Sequence, residues 1–389
     1  MKRRLGFAVA IASLAALGAT ACASIFGFEE LVATPVDAAI DGPAPDAGAD
    51  AAITPEACKR TGAPEPPTAN VAGDAGGSGS YVLAVSTFDI GLPNDAGASP
   101  EPIGLNLDLR CTYARGEGSC KDTADDNSFE TSIKDKVDGV DNAGYALLRR
   151  LAQSYDALSA ESVNERLGQG EFGVVAKIEN YNGGPDDTEI QVAVQPALGV
   201  LPKDGGKTVP AFDATDQWTV DSRYFLNEDI SRPRFVSDVA YVRDHKLVAR
   251  FKQLLVSLTV PSAERDLDLL LDEAWIVGDL SVANGEARVT NGIIAGRWQT
   301  PKLLAAVGEL KLLGQPICQR PDIFANLVKT YVCSAQDLAA SSAEPISAPC
   351  GSISAGFRFA AGPANPDTFT RSPVKVTPPA DLCKSDLCP

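Results

Sequence analysis

Acidic side chains cluster in "KDTADDNSFETSIKDKVDGVDN", residues 121–142. This segment holds seven carboxylates and two asparagines, and such oxygens are the ligands that Ca²⁺ prefers. We take Asp135, Asp138 and Asp141 as candidate ligands for a calcium ion, the one cofactor that the sequence suggests. Their spacing matches no EF-hand loop. The alternative is a solvated acidic loop in which Asp138, Asp141 and Asn142 form turns and cap the next helix.

Carboxylates and aromatic rings elsewhere raise the question of sugar chemistry. Asp186 and Asp187 in "YNGGPDD" could act as a glycosidase pair, but adjacent Asp residues in a turn usually accept hydrogen bonds from the backbone around them. Trp218, Trp275 and Trp298 are the three tryptophans of the chain. They could line a sugar-binding face, and packing in the core of a β-rich domain is the alternative that we favour.

The single histidine limits other catalytic chemistry. A Ser-His-Asp or Cys-His system would have to use His245 as its base, and the sequence contains no G-x-S-x-G motif. Zinc sites with two or three histidines are excluded. We expect His245 to be an exposed residue at a strand end, and we predict no catalytic residue.

A glycine-rich stretch, "LGQGEFGVVAKI", residues 167–178, reproduces the G-x-G-x-F-G-x-V loop that covers ATP phosphates in protein kinases. In a kinase a strand runs into this loop. Here "SVNERLGQG" predicts a short helix with a capping box, Ser162 with Glu165, and a stop at Gly168. Where a kinase has its phosphate-binding lysine, this chain has Gln195, which we expect to face solvent. We therefore predict that no nucleotide binds.

The N-terminus has the pattern of a secretory signal peptide. Lys2, Arg3 and Arg4 precede a 13-residue apolar run, Leu5–Leu17, which is too short to span a bilayer. The next segment, "ATAC", ends at Cys22 and resembles a bacterial lipobox, although its first position lacks the usual Leu. Residues 1–21 are then a signal peptide, and Cys22 carries the lipid. An ordinary A-x-A cleavage site is the alternative.

A tether is predicted to follow, within residues 22–57. Its segment 34–56, "TPVDAAIDGPAPDAGADAAITPE", carries seven Ala, four Asp and four Pro and has no aromatic residue. Such a composition cannot bury enough apolar surface to offset the entropy of the chain. As a flexible chain, these 23 residues would reach about 25 Å.

The body of the chain, residues 58–389, is predicted to be one globular β-rich domain. "GVVAKIEN" and "TEIQVAVQ" alternate polar and apolar residues around a turn-forming segment, which predicts a β-hairpin. Asn284-Gly285 separates two further strand-like runs and predicts a second hairpin. Residues 246–260, "KLVARFKQLLVSLTV", predict another strand or a bent pair of strands.

Helices are expected to be fewer. Apolar residues at helical spacing predict one over 142–159 and another over 321–333. "SAQDLAAS", 334–341, is predicted to continue the latter as a second short helix in a C-terminal helical subregion, 315–345. Together these patterns predict an α+β fold, mainly antiparallel β and sandwich-like, with several helices and disulfide bonds.

Cysteine arithmetic supports both the lipid anchor and disulfides. Removing Cys22 from the nine cysteines leaves an even number, which can form four disulfides in an oxidising compartment. The candidates are Cys58, Cys111, Cys120, Cys318, Cys333, Cys350, Cys383 and Cys388.

Geometry limits how these cysteines can pair. Cys111 and Cys120 flank a glycine-containing loop, and we expect them to pair. Cys318 and Cys333 lie at opposite ends of a predicted helix, about 18 Å apart, which is too far for a disulfide. We therefore expect Cys333 to pair with Cys350, and the other four candidates to be shared out among themselves.

Charge limits the partners. The formal charge is −17, and loss of the three N-terminal basic residues makes it about −20. This charge repels phosphate backbones, so we predict that nucleic acid is not a partner.

Six segments stand out beside the acidic tether after the lipobox: "LNLDLRC", "DGVDNA", "YNGGPDD", "RPRFVSDVAYVRD", "LVARF" and "NGIIAGRW". Together they resemble a group of predicted surface lipoproteins of myxobacteria, for which no activity is known. This resemblance implies export and anchoring, and it carries over no catalytic residue. Ala23 after the lipidated Cys implies sorting to the outer membrane.

We expect a lipid-anchored envelope protein with a non-catalytic binding or structural role. It would contact the membrane through its lipid, and an envelope glycan or a protein would be its ligand. The alternative is a secreted carboxylate-based hydrolase of polysaccharide.

Overall fold

The computed structural model gives an α+β fold, mainly antiparallel β and cross-linked by disulfides, as the sequence predicts. It describes residues 61–68, 77–89, 103–111, 120–121, 139–154, 159–202, 209–260, 265–312, 314–377, 383 and 388.

Thirteen strands are formed by the described residues. They are β1 Gly79–Asp89, β2 Gly173–Tyr181, β3 Gln191–Val200, β4 Trp218–Val220, β5 Phe235–Val236, β6 Val239–Arg243, β7 Lys246–Val260, β8 Arg265–Ala283, β9 Glu286–Gln299, β10 Lys311–Leu312, β11 Gln315–Pro316, β12 Leu338–Ala339 and β13 Cys350–Pro363.

The helical elements cover less of the chain. The α-helices are α1 Gly144–Ser154, α2 Ala160–Gly168, α3 Thr300–Glu309, α4 Pro321–Ile323 and α5 Thr330–Ser334. A π-helical segment, Phe324–Lys329, joins α4 to α5, and short 3₁₀ turns include Ser222–Tyr224.

One large sheet has the strand order β4-β3-β2-β1-β13-β9-β8-β7-β6, and the segment 235–243 joins its two ends. In this segment β5 pairs with β3, whereas β6 pairs with β7. Backbone hydrogen bonds continue both pairings, because Ser237 N donates to Val192 O and Asp238 N donates to Arg250 O. The sheet therefore closes on itself, and opposite parts of its inner face pack together as in a sandwich.

The main core lies on this inner face. Leu254, Val256 and Leu258 of β7 point inward together with the alternate leucines of β8, and all are at most 3% exposed. Each fully buried side chain of this size contributes about 1.5–3 kcal/mol. Helices α1, α2 and α3 add apolar side chains to the same cluster. The alternation along each strand thus fixes which face of the sheet is inside.

Two smaller apolar clusters lie on the outer face of the sheet. One centres on Trp218 and Phe225, over β1, β2 and β3. The other joins Tyr241 and Val248 to Leu107 from the segment 103–111. Connecting segments therefore cover both regions of the sheet, which gives the fold layers outside its core.

Both predicted hairpins are confirmed. β2 and β3 pair antiparallel across the turn-rich segment. β8 and β9 are joined by Asn284 and Gly285 alone, with φ of 55° and 81°. Positive φ at both positions is what a two-residue type I′ turn requires. The strand predicted over 246–260 is the single strand β7.

The helix predictions are confirmed in part. Helices form within 142–159 and 321–333. Ser159, and not the predicted Ser162, is the N-cap of α2, since its side chain accepts a hydrogen bond from Ser162 N. The helix predicted over 334–341 is wrong, because β12 forms there and pairs with β13. Pairing with a long neighbouring strand outweighs the weak helical pattern.

The disulfide pairing differs from the expected one. Cys120 bonds to Cys350 and not to Cys111, and Cys333 bonds to Cys388 and not to Cys350. A third disulfide joins Cys318 to Cys383. Cys111 is also disulfide-bonded, whereas Cys22 and Cys58 lie outside the described residues.

The pairing follows from the packing of the chain at residues 120–121. Lys121 N donates to Ala348 O, and Cys350 N donates to Lys121 O, so this short segment runs beside the start of β13. The sulfurs of Cys120 and Cys350 lie within bonding distance because these two backbone segments are hydrogen-bonded side by side. Loop length, on which the prediction relied, does not decide the partner.

Candidate functional site

A cleft of about 750 Å³ opens where the segments 223–226 and 234–238 meet β7 and β8. Its apolar surface comes from Leu226, Phe235, Leu255 and Leu270, and charged side chains surround that surface. The volume falls in the range of small-ligand sites, about 300–1,000 Å³. We therefore treat this cleft as the candidate site.

Strand pairing places the polar groups of the cleft. Leu255 pairs with Leu270 and Ser257 with Asp268, so these four side chains lie on one face of the β7–β8 hairpin. The opposite face carries the core leucines. The alternation that builds the core thus presents Asp268 to the cleft.

Asp268 accepts two hydrogen bonds from side chains. Ser257 Oγ donates to its Oδ1 at 2.6 Å, and Tyr224 Oη donates to its Oδ2 at 3.2 Å. Burial raises the pKa of Asp268, and the two hydroxyl donors oppose this rise. Burial and the nearby Asp268 also raise the pKa of Tyr224. Asp268 is therefore easier to protonate than an exposed Asp.

Most other charges at the cleft are paired. Asp221 caps the 3₁₀ turn Ser222–Tyr224 by accepting from Arg223 N, and Arg223 Nε donates to the same carboxylate at 2.7 Å. Across the cleft, Arg250 forms an ion pair with Asp238 at 3.1 Å. These pairs hold the walls of the cleft in place.

Arg234 and Lys252 are the exceptions. Both side chains line the cleft and are exposed to solvent. Among the described residues no carboxylate lies within ion-pair distance of either one, unlike the paired Arg223 and Arg250. Within the described part of the chain, the cleft therefore offers two unpaired cations beside an apolar surface.

The raised pKa of Asp268 predicts a pH-dependent change in stability. Because this carboxyl ionises less readily in the folded state, its contribution is fully present below the unfolded pKa, near 3.8, and is lost as pH rises through the folded pKa. We expect Asp268→Asn, which removes the charge, to be more stable than wild type at pH 7 and equal to it near pH 3. Urea unfolding at both pH values measures this difference.

A matched control for that prediction is Asp238→Asn, which removes an exposed, ion-paired carboxylate from the same cleft. We expect no gain in stability at pH 7 from this variant. If Asp268→Asn is less stable than wild type at pH 7, the hydrogen bonds to its charged form outweigh the burial.

A second, smaller cavity of about 130 Å³ adjoins the buried Arg297. Its guanidinium pairs with Glu273 at 3.0 Å and donates to Ala339 O at 3.1 Å and to Leu107 O at 2.8 Å. The guanidinium of Arg297 thus makes its hydrogen bonds within the protein and does not point them at the cavity. We therefore assign Arg297 to stability and not to ligand binding.

Asp141 is the one predicted calcium ligand within the described residues, and Asp135 and Asp138 lie outside them. Its buried carboxylate accepts a hydrogen bond from Leu107 N at 2.6 Å. Asn142 Oδ1 accepts from Tyr145 N at the start of α1. Over the described ranges, no three His, Cys, Asp or Glu residues are grouped so as to hold a metal ion.

Asp186 and Asp187 hold a turn together. The buried Asp187 accepts from Asn182 N at 2.7 Å and from Glu189 N at 2.9 Å. Asp186 accepts from Asp244 N at 3.1 Å. These are the backbone hydrogen bonds that we expected if the two Asp residues stabilise a turn. They give Asp186 and Asp187 a structural role.

His245, Trp218 and Trp298 have the surroundings that we favoured, whereas Trp275 lies outside the core. His245 is exposed in the two-residue turn between β6 and β7. Trp218 and Trp298 are at most 1% exposed and belong to apolar clusters. Trp275 is half-buried, and the Arg250 guanidinium lies over its ring.

The structure explains the glycines of residues 167–178 without a nucleotide. Helix α2 ends at Gly168, and Gly170 has φ of 67°. At Gly173 a Cβ atom would lie 2.6 Å from the ring of Trp218, so this position requires glycine. As predicted, a helix and not a strand precedes the glycines.

The expectation for Gln195 is wrong, because its side chain is fully buried. It pairs with Val175 and shares the outer face of the sheet with the cluster around Trp218. Alternation along the strand predicts that Gln195 faces solvent. The segments that pack over this outer face bury it instead.

Sequence reasoning missed the cleft. Asp268, Tyr224, Arg234 and Lys252 belong to no catalytic or ligand-binding motif and are separated by up to 44 residues along the chain. The one available signal is "DLDLLLD", in which acidic residues at 266 and 268 alternate with leucines and so face away from the core.

Helices of the length and apolar character needed to cross a membrane do not occur in the described part of the chain. Comparisons with protein-family models, with curated proteins and with solved structures gave no match to this chain.

Proposed function

We propose that this chain is a lipid-anchored protein of the bacterial cell envelope with a non-catalytic binding role. The signal-peptide pattern, Cys22 and the acidic tether support export and anchoring to the outer membrane. The disulfides support an oxidising compartment. On this proposal the domain carries its ligand site in the cleft beside Asp268.

The observation that carries the proposal is the pair of cations Arg234 and Lys252, which have no ion-pair partner among the described residues and lie beside an apolar surface. The chain as a whole has a formal charge of −17, so a site with free positive charge runs against its overall composition. A ligand that joins an anionic group to an apolar body satisfies both features of the cleft. Acidic glycans with apolar substituents and acidic protein segments belong to this class.

Charge reversal in the cleft tests the proposal. The probe is 8-anilinonaphthalene-1-sulfonate, a fluorescent anion with an apolar body. We expect Arg234→Glu combined with Lys252→Glu to weaken its binding about 100-fold, because a hydrogen bond to a charged group contributes about 1.5 kcal/mol or more and each 1.4 kcal/mol is tenfold. Wild-type affinity should also fall with added salt.

The matched control reverses two exposed arginines outside the cleft, Arg149 and Arg288, to Glu. It changes the net charge by the same amount, and we expect affinity within about twofold of wild type. Equal losses in both double variants would mean that net charge and not the cleft governs binding, and the proposal would then be wrong.

The alternative, a carboxylate-based polysaccharide hydrolase, is favoured by one observation. Asp268 lies in a cleft with a raised pKa, which is a property of general acids in glycosidases. Asp238 is a second carboxylate of the same cleft. Release of reducing ends from envelope polysaccharide, lost in Asp268→Asn, would support this alternative over simple binding.

A further inference from the structure

We propose that an extended, acidic segment of a partner protein binds in the cleft as an added β-strand between β5 and β7. This inference rests on the proposed function, which assigns the cleft to a ligand with anionic and apolar groups, and it names the class of that ligand. Both strands border the cleft with backbone edges that no described residue pairs. Such edges bind a peptide and not a glycan.

The first edge belongs to β5. Ser237 N donates to Val192 O of β3 at 2.8 Å. In an antiparallel pair, successive residues of a strand point their backbone groups to opposite sides. Val236, which lies opposite Ala193, therefore directs its N–H and C=O away from β3.

The residues on either side confirm this direction. Arg234 N donates to Tyr224 O at 3.0 Å, and Asp238 N donates to Arg250 O at 2.9 Å, so alternate residues of the segment all face away from β3. Val236 stands between them and lines the cleft. Among the described residues, its N–H and C=O have no hydrogen-bond partner on this side.

The second edge belongs to β7. β8 pairs with the whole of β7 in one register, whereas β6 covers the opposite edge only from Lys246 to Arg250. The two-residue turn before Lys246 makes its pair with Arg243 a hydrogen-bonded one, so the even-numbered residues of β7 point their backbone groups toward β6. Beyond β6 these residues are Lys252, Leu254 and Val256. No described residue pairs with their backbone groups on this edge.

The cleft lies between these two edges. The segment 234–238 lines it from the side of β5, and Lys252, Gln253 and Leu255 line it from β7. An unpaired strand edge is a template for another strand. Addition of one peptide strand to such an edge is a general mode of peptide recognition. A strand bound here would find hydrogen-bond partners on both of its sides.

The size of the cleft fits a short strand. A residue in a sheet takes up about 160 Å³, given its spacing along the strand, between strands and between stacked sheets. The cleft of about 750 Å³ therefore holds about five such residues. The segment 234–238, which lines one side of it, has the same length.

Side chains of the cleft determine the composition of the bound strand. Arg234 and Lys252 have no ion-pair partner within the described ranges, and apolar side chains such as Phe235 and Leu255 lie beside them. A strand in which acidic and apolar residues alternate presents carboxylates on one face and apolar side chains on the other. An acidic glycan would match the cations, but it lacks the regular N–H and C=O groups that the two edges require.

A blocked seven-residue peptide in which Val and Asp alternate tests the inference. We expect calorimetric titration into the full chain, with its disulfides formed, to give a Kd below about 1 mM. Two further peptides carry N-methyl groups either on every Asp or on every Val, which removes the donors toward one neighbouring strand and keeps every charge. We expect each to bind at least about tenfold more weakly, because two or more backbone hydrogen bonds are lost.

Val236→Pro removes the same kind of donor from the protein. The pairing of β5 with β3 does not use the N–H of Val236, and proline is tolerated where the N–H faces away from the ladder. We expect this variant to bind the unmethylated peptide about fivefold more weakly or less tightly still, and the anilinonaphthalene probe within about twofold of wild type. Val236→Ala keeps the N–H and is the matched control.

The methylated peptides test the same hydrogen bonds on the unaltered protein, so the result does not depend on how well Val236→Pro folds. Absence of peptide binding, or a loss below about tenfold for either methylated peptide, would contradict the inference. Binding of oligogalacturonate, an acidic glycan, more tightly than the peptide would also contradict it.

These outcomes separate the inference from the proposed function. If Arg234→Glu with Lys252→Glu loses the anilinonaphthalene probe while the peptide fails one of these tests, the proposed function stands and the inference alone is wrong. Wild-type probe binding in that double variant overturns the proposed function by itself.

Discussion

Replacement of Arg297 by Ala is expected to destabilise the protein by about 3–5 kcal/mol. The Arg297 side chain is 3% exposed and pairs with Glu273, itself held by Ser341 Oγ and Ser342 N. Removing the guanidinium takes away the positive charge that neutralises the Glu273 carboxylate. It also removes the donors of the hydrogen bonds to Leu107 O and Ala339 O. Urea unfolding at pH 7 measures the loss as a lower midpoint at an unchanged slope.

The position of Arg297 explains the size of this effect. It lies on β9 and connects that strand to the segment 103–111, to β12 and to a β-bulge in β8, where Glu273 has φ of 49°. A single side chain thus fixes two covering segments to the outer face of the sheet. We therefore expect the loss of stability to come from several contacts that are broken together.

Arg288 is the matched control, because it is an exposed arginine of the same strand. We expect Arg288→Ala to change stability by no more than about 0.5 kcal/mol, since exposed ion pairs contribute little. A loss below about 1 kcal/mol in Arg297→Ala would contradict the role that we assign to Arg297.

Removal of the Cys120–Cys350 disulfide, by changing both residues to Ala, is the second large expected effect. This disulfide joins residues 230 positions apart and lies beside the start of β13, the strand that pairs with both β1 and β9. A cross-link over so long a loop restricts the unfolded chain strongly. We expect a loss of about 2–5 kcal/mol in the same urea measurement.

The Cys318–Cys383 disulfide provides the comparison, because it spans 65 positions. Loop entropy predicts that its removal costs at least about 1 kcal/mol less than removal of Cys120–Cys350, because the remaining Cys333–Cys388 disulfide shortens its effective loop further. If the shorter loop gives the larger loss, native packing of the C-terminal segment and not loop entropy governs the contribution of these disulfides.

Local patterns in the sequence predicted the elements whose partners are close along the chain. Asn284-Gly285 specifies a two-residue turn, so β8 and β9 must pair across it, and alternation over β2 and β3 predicts their hairpin. Helices α1 and α2 follow from apolar spacing and a stop at glycine. These features depend on backbone preferences and periodicity within a few residues, which a single sequence displays directly.

Contacts between distant residues were decided by the tertiary structure. Alternation marks Gln195 as outward-facing, but only the covering segment around Trp218 makes that outer face buried. Cysteine numbers predicted disulfides, whereas the pairing of Cys120 with Cys350 depends on a backbone contact across 230 residues. Neither contact can be recognised from the local periodicity of the sequence.

The candidate site belongs to the same class of contacts. Types and numbers of charged residues are visible in the sequence, as are the acidic composition of residues 34–56 and the net charge of −17. Closure of the sheet by the segment 235–243 brings Arg234 beside Lys252 and Asp268, which belong to two other strands. The sequence by itself determined the local elements and the composition. The cleft was decided by the tertiary structure, because long-range strand pairing chooses which charges meet.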